Sequence, residues 1–149
     1  MNWESSIKNY SRFLGIEKSL SKNSIEAYLR DIATLRRLKE EGRLANSPAM
    51  INKYQLEQFS GWLAETGFSA TSQSRILSGI RGFYKFLVLE ELIEESPADF
   101  LEMPRTGRKL PVVLSTNEID AMVAAIDRTS ENGERNIAIL ETMYSCGLR

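Results

Sequence analysis

Apolar residues recur every three or four positions through most of this chain, a spacing that places them on one face of successive α-helices. Four such stripes lie before residue 103: Trp3, Ile7, Tyr10 and Leu14; Ile25, Tyr28, Leu29, Ile32, Leu35 and Leu38; Leu56, Phe59, Trp62 and Leu63; and Ile76, Leu77, Ile80, Phe83, Tyr84 and Leu87. No alternation of period two appears before residue 110, and "SPADFLEM" adds at most a turn or two. The pattern therefore predicts an all-α fold, with a bundle of four to five helices over residues 1–103.

Local signals mark the ends of these helices. The Ser and Asn residues of "SKNS" favour an N-cap before the second stripe, and "SATS" opens the fourth. Gly15, Gly42 and Gly67 lie where three of the stripes stop. The segment "EMPRTGRKLPVVLS" combines prolines, a glycine and basic residues, which predicts a basic linker over 104–114. "STNE" at 115–118 then has the form of a capping box.

Two further helices are predicted in residues 115–149. Their apolar positions are Ile119, Met122, Val123 and Ile126, followed by Ile137, Leu140, Met143 and Tyr144. About 35 residues cannot bury two such faces without further cover. The bundle, further chain, a second copy in a dimer or an exchanged domain could each supply that cover.

Composition limits the class of protein. Hydrophobic residues make up 42% and charged residues 26% of the 149 residues, as in a soluble globular protein. No apolar run is long enough to span a bilayer and the N-terminus lacks the features of a signal peptide, so we expect a cytoplasmic protein with no membrane partner. A single cysteine and no histidine exclude an internal disulfide and a Cys/His zinc site. We expect no metal and no cofactor, and the usual general base is absent.

The net charge of −1 conceals a strong division along the sequence. Residues 18–39 contain six basic and two acidic residues, whereas 69–89 and 103–111 each contain three basic residues and no acid. Residues 90–102 contain six acids and no base. Two helices and the linker are therefore basic, and solvated faces of alternating sign are the plain alternative explanation.

The fourth helix has a polar face that suits a DNA major groove. It combines cations, hydroxyls and a glycine with no acid, and the candidate contacts on it are Thr71, Ser74, Arg75, Ser78, Arg81 and Lys85. The start of the second helix offers Lys22, Asn23, Ser24 and Arg30, and its backbone N–H groups could hold a phosphate. The linker adds Arg105, Arg108 and Lys109. An ordinary solvent face remains the alternative for each set.

These segments resemble a known family. "SKNSIEAYLRDIATLRRL" and "SATSQSRILSGIRGFYKFL" resemble the paired helices in the SAM-like core-binding domain of tyrosine recombinases, particularly the Xer-like branch of the phage-integrase family. "RKLPVVLSTNEIDAMVAAI", "GERNIAIL" and "ETMYSCGLR" resemble the opening of the catalytic domain of that family. The resemblance covers essentially the whole chain, and its most specific element is the box that ends in Gly-Leu-Arg.

The resemblance implies a DNA-binding portion of a site-specific recombinase, active in integration, excision or dimer resolution together with other protomers. Such enzymes clamp double-stranded DNA and exchange strands through a phosphotyrosine. Arg149 matches the first of two catalytic arginines that bind the scissile phosphate, a role suited to the planar guanidinium. The remaining catalytic residues, including the nucleophilic tyrosine, are not matched. We therefore expect a truncated catalytic stub over 115–149, and a fragment that binds DNA without cleaving it.

Two features of the sequence leave alternatives open. A non-enzymatic helical module that binds DNA or an acidic protein would also explain the basic helices, although these are separated by a whole helix rather than by the short turn of a helix-turn-helix. Cys146 is interpreted as a packed or reduced structural thiol rather than a nucleophile.

Overall fold

The computed structural model describes residues 2–107 and 110–148 and divides the chain into two compact units, residues 1–107 (unit 1) and 108–149 (unit 2). Unit 1 contains α1 (Trp3–Ile16), α2 (Lys22–Glu40), a short 3-10 helix (Pro48–Met50), α3 (Lys53–Glu65) and α4 (Ala70–Leu89). Unit 2 contains α5 (Thr116–Ala124) and α6 (Gly133–Cys146). The described residues include no strand, so the all-α prediction is confirmed.

Polar caps start the helices of unit 1. The side chains of Asn2, Ser21, Asn52 and Ser69 each accept a hydrogen bond from a backbone N–H in the first turn of the helix that follows. Asn52 belongs to a full capping box, because the Gln55 side chain in turn accepts from the backbone N–H of Asn52. These bonds satisfy N–H groups that have no partner inside the helix, which fixes where each helix begins.

The core of unit 1 is built around α4, which packs against α1, α2 and α3. The predicted stripe of α4 is buried, and the side chains of Leu77, Ile80 and Phe83 have no exposed surface. Every second-stripe residue from Ile32 onward is also buried. The hydroxyl of the buried Tyr84 donates to the carbonyl oxygen of Pro48 at 3.1 Å and so ties α4 to the 3-10 helix.

Helices α2 and α4 form the most extensive helix contact, and a glycine allows it. A Cβ on residue 79 would overlap the carboxylate of Asp31 from α2. The absence of a side chain at Gly79 therefore lets the two backbones approach closely with an acidic side chain between them.

Unit 2 has well-formed helices but little buried surface. Ser115 and Glu118 form the predicted capping box of α5, with the Glu118 carboxylate accepting from the Ser115 backbone N–H at 2.7 Å. The helix α6 ends at Gly147 in the left-handed region, with φ of +60°. Ile137 is the one apolar side chain buried among the described residues of unit 2. Cys146 is a free thiol and is exposed, so of the two alternatives the packed one is wrong, because the residue lies on the last turn of a helix with little cover.

Within the residues described, no helix combines the length and the apolar character needed to cross a membrane.

Candidate nucleic-acid interface

The outer face of α4 carries a continuous polar strip. We call it the α4 strip, and it consists of Thr71, Ser74, Arg75, Ser78, Gly82 and Lys85. These residues recur at helical spacing opposite the buried stripe, and a rise of 1.5 Å per residue gives the strip a length of about 21 Å. Thr71, Arg75, Ser78 and Lys85 are exposed, whereas Ser74 and Gly82 are partly buried. The structure thus brings five of the six candidate contacts of α4 onto one face, together with the glycine of that face, Gly82.

Arg75 is joined to α2 rather than extending alone into solvent. Its Nη1 donates a hydrogen bond to Asp31 Oδ2 at 2.9 Å and forms an ion pair with the same carboxylate, with Oδ1 2.7 Å away. The Asp31 side chain is 4% exposed and the Arg75 side chain 58% exposed. Burial raises the pKa of Asp31, and the neighbouring Arg75 charge and its hydrogen bond offset this only in part. The acid therefore lies beneath the strip, and the cation lies on it.

Arg81 has a different environment at the edge of the same helix. Its Nε donates to the carbonyl oxygen of Ala98 at 3.3 Å and its Nη2 to that of Leu101 at 2.9 Å. These bonds hold the segment after α4 against the helix. Arg81 thus has a structural role that the periodicity alone did not indicate, and its contact with DNA stays a prediction.

A groove of about 540 Å³ opens beside the α4 strip, between α1, α2 and α4. Lys18 and Tyr28 line it together with Ser78, Gly82 and Lys85 of the strip. Sequence reasoning did not select Lys18 or Tyr28, since Tyr28 belongs to an apolar stripe and Lys18 lies between two helices. The only signal for Lys18 was its place in the basic segment 18–39.

Tyr10 forms part of the floor of this groove. Its side chain is 2% exposed, and burial raises its pKa well above the ordinary range, with the Tyr28 hydroxyl and the Asp31 charge adding to the rise. Tyr10 therefore stays neutral, and it presents a hydroxyl rather than a negative charge to a ligand in the groove.

The predicted residues of α2 lie at and beyond its first turn. Lys22 and Asn23 are exposed, and Arg30 is exposed immediately before the buried Asp31. Ser24 is partly buried, and its hydroxyl lies 3.0 Å from that of the cap Ser21. The Ser24 hydroxyl thus belongs to the cap of α2, whereas Lys22, Asn23 and Arg30 face solvent.

The remaining predicted residues lie in or beside the linker and at the chain end. Arg105 is exposed. Arg108, Lys109 and Arg149 lie outside the described residues. The acids of segment 90–102 are exposed, and Glu94, Glu95 and Asp99 lie near the Lys85 end of the α4 strip. This acidic flank limits the basic surface on that side.

Together, the four-helix unit, the close α2 and α4 pair and the α4 strip define a helical bundle with one basic, hydroxyl-rich face. Comparison with known protein families identifies the family to which this unit belongs. Residues 7–91 match the family described as "Phage integrase, N-terminal SAM-like domain". The chain belongs to this family, and the resemblance drawn from its sequence is confirmed.

The similarity to individual relatives extends beyond that domain. Tyrosine recombinase XerD of Staphylococcus haemolyticus is 35% identical over 146 residues, which cover 98% of this chain and 49% of that protein. XerD of Staphylococcus aureus strain N315 is 34% identical, with the same coverage. The chain thus spans about half the length of these relatives.

Solved structures share the fold. A lambda integrase dimer bound to a COC' core site aligns with a TM-score of 0.62 at 17% identity, over 84% of this chain and 43% of that one. The integrase from mycobacterium phage Brujita aligns with a TM-score of 0.60 at 16% identity, over 81% of this chain and 39% of that one.

Proposed function

We propose that the chain is the core-binding part of a tyrosine-type site-specific recombinase, and that unit 1 binds double-stranded DNA through the α4 strip and the start of α2. The observation that carries this proposal is the α4 strip itself. It presents cations and hydroxyls over about 21 Å with no exposed acid from its own helix. Family membership supports the same function, as does the core site to which the lambda integrase dimer of similar fold is bound.

The chemistry of the strip suits both kinds of DNA contact. Arg75 and Lys85 can neutralise phosphates or donate to guanine edges, and the hydroxyls of Thr71 and Ser78 can bond to either. A Cβ on Gly82 would lie 3.1 Å from the Tyr10 hydroxyl, so the missing side chain makes room for Tyr10 beside the groove. A major groove about 12 Å wide admits an α-helix with its side chains. The exposed Lys22 at the start of α2 would add a phosphate contact.

The second half of the proposal concerns the linker and unit 2. We propose a domain boundary with a core-binding domain over 1–103, a basic linker over 104–114 and the start of a catalytic domain over 115–149. Arg105, Arg108 and Lys109 would contact the DNA backbone along the linker, and Arg149 would bind the scissile phosphate. Other protomers on the same DNA site would be its protein partners.

A binding titration with matched variants tests the DNA interface. The double variant Lys22→Gln/Lys85→Gln removes two exposed cations, and Lys53→Gln removes an exposed cation from α3, outside the proposed surface. Fluorescence anisotropy with a labelled duplex at several salt concentrations should show weaker binding for the double variant. Its plot of log affinity against log salt should be less steep by about 2, because each lost phosphate contact removes about 0.9.

The Lys53→Gln control should bind with the affinity and salt dependence of the wild type. A wild-type protein that shows no salt-dependent binding to duplex DNA would overturn the proposal. That result would favour a helical module that binds an acidic protein instead.

A further inference from the structure

We propose that Asp31 is a positioning residue for DNA binding, which holds the Arg75 guanidinium in the orientation in which it meets DNA. This inference rests on the proposed function of the α4 strip. It gives a role in recognition to a buried acid on α2 that itself cannot reach a phosphate.

The geometry leaves part of the guanidinium available. Both contacts to Asp31 come from Nη1 of Arg75. Among the described residues, no acceptor bonds to Nε or Nη2 of Arg75, although a guanidinium carries five N–H donors in a planar fork. With Nη1 fixed from below and the side chain 58% exposed, the remaining donors are available to a ligand above the strip.

Arg81 provides a comparison on the same helix. It uses Nε and Nη2, the two groups that Arg75 leaves unused, to bond the carbonyl oxygens of Ala98 and Leu101. The donors of Arg81 are thus directed toward the protein itself. Two arginines six positions apart therefore have opposite arrangements, and only Arg75 keeps both groups for an external partner.

The location of Asp31 also argues for positioning. A buried carboxylate carries a desolvation cost that an apolar side chain would avoid, and ion pairs of this kind contribute little net stability. Here the acid lies under Gly79, where a Cβ would overlap it, so the close helix contact is arranged around the carboxylate. Fixing a long side chain in advance reduces the entropy that is lost when it binds.

The test compares the direction in which DNA affinity changes when two different acids are neutralised. Removal of an acid close to a DNA-binding surface ordinarily strengthens binding, because repulsion of phosphates is reduced. Asp31→Asn keeps the shape of the side chain but loses the charge that holds Arg75. We expect it to bind a labelled duplex about three- to tenfold more weakly, the range for ordering one long side chain on binding. Glu26→Gln, the same chemical change at an exposed position of α2, should bind as well as the wild type or better.

The melting temperature of each variant separates positioning from a loss of fold, and the salt dependence shows whether Arg75 still contacts a phosphate. All measurements are made well below the melting temperature of each variant, determined by circular dichroism. If ordering Arg75 is the only cost in Asp31→Asn, the affinity falls while the slope of the salt plot stays at the wild-type value. If the displaced Arg75 no longer contacts a phosphate, the plot also becomes less steep by about 0.9. Tighter or unchanged binding by Asp31→Asn would overturn the inference while leaving the proposed function intact.

A second variant keeps the test decisive if Asp31→Asn does not fold. Arg75→Lys keeps a cation for Asp31 but removes the fork whose other donors would meet DNA. We expect weakened binding, and wild-type affinity in Arg75→Lys would overturn the inference. If the wild type itself does not bind duplex DNA, the proposed function fails first and the inference fails with it.

Discussion

Units 1 and 2 are both helical, but they differ in what stabilises their helices. The apolar stripes of unit 1 meet in one core, in which side chains such as Phe59 and Leu77 have no exposed surface. In unit 2, α5 has no buried residue and the apolar residues Ile139 and Met143 of α6 are 48% and 43% exposed. Helical periodicity and good caps are present in both. Only burial distinguishes them, and burial is the dominant favourable contribution to folding.

The difference between the units shows that capping residues define the ends of a helix but do not by themselves make it stable. The capping box of Ser115 and Glu118 and the left-handed Gly147 define where α5 begins and α6 ends. Helices of 9 and 14 residues are nevertheless marginal in water unless an apolar face is packed. We therefore expect the free energy of unfolding to reside mainly in unit 1.

The largest expected effect comes from shortening the same apolar side chain in each unit. Ile80 of α4 is fully buried, so Ile80→Ala should lower the free energy of unfolding by about 2–5 kcal/mol. Ile139→Ala in α6 should change it by no more than about 0.5 kcal/mol, because that side chain already contacts solvent. Urea unfolding followed by circular dichroism, which reports on the helices of both units, measures both variants. Equal losses in the two variants would contradict the comparison and show that Ile139 is buried in solution.

The sequence predicted the features that depend on one helix at a time. The stripes and the caps at Ser21, Ser69 and Ser115 were all readable, since each depends on residues within a few positions. The pairing of Asp31 with Arg75 joins residues 44 positions apart. Periodicity places each on a face of its own helix but does not specify the residue opposite, so this pair was not predicted.

In the candidate site too, the sequence predicted which face of a helix a residue occupies but not which residues of other segments it contacts. Thr71, Arg75, Ser78 and Lys85 were correctly assigned to the outer face of α4, because helical spacing alone determines it. The contacts of Arg81 with the segment after α4, and the groove lined by Lys18 and Tyr28, depend on how neighbouring segments pack. No single-helix pattern contains that information.

The next effect concerns the close contact between α2 and α4 in unit 1. Gly79→Ala should destabilise unit 1 by about 1–3 kcal/mol, because its Cβ would overlap Asp31 and force α2 and α4 apart. Gly61→Ala is the matched control, since a Cβ there meets open space on α3 and should stabilise the helix by about 0.5–1 kcal/mol. Urea unfolding gives both values. A stabilised Gly79→Ala variant would mean that the close contact around Asp31 is absent in solution.

The smallest expected effect concerns the capping box of α5. Because α5 has no buried residue, we expect its stability to depend on this cap. The hydrogen bonds from the backbone N–H and hydroxyl of Ser115 hold the pKa of Glu118 below its ordinary value of 4.5. A lowered pKa means that the cap stabilises α5 fully above the ordinary value and loses this contribution as the pH falls through the lowered one. The Ser115 amide signal in a pH series of NMR spectra should therefore move toward its unfolded position in acid. In Glu118→Gln, which keeps an acceptor but cannot titrate, the signal should stay constant over that range. An identical pH dependence in both proteins would mean that another acid causes the change. The capping box of Ser115 and Glu118 would then not be the element that stabilises α5.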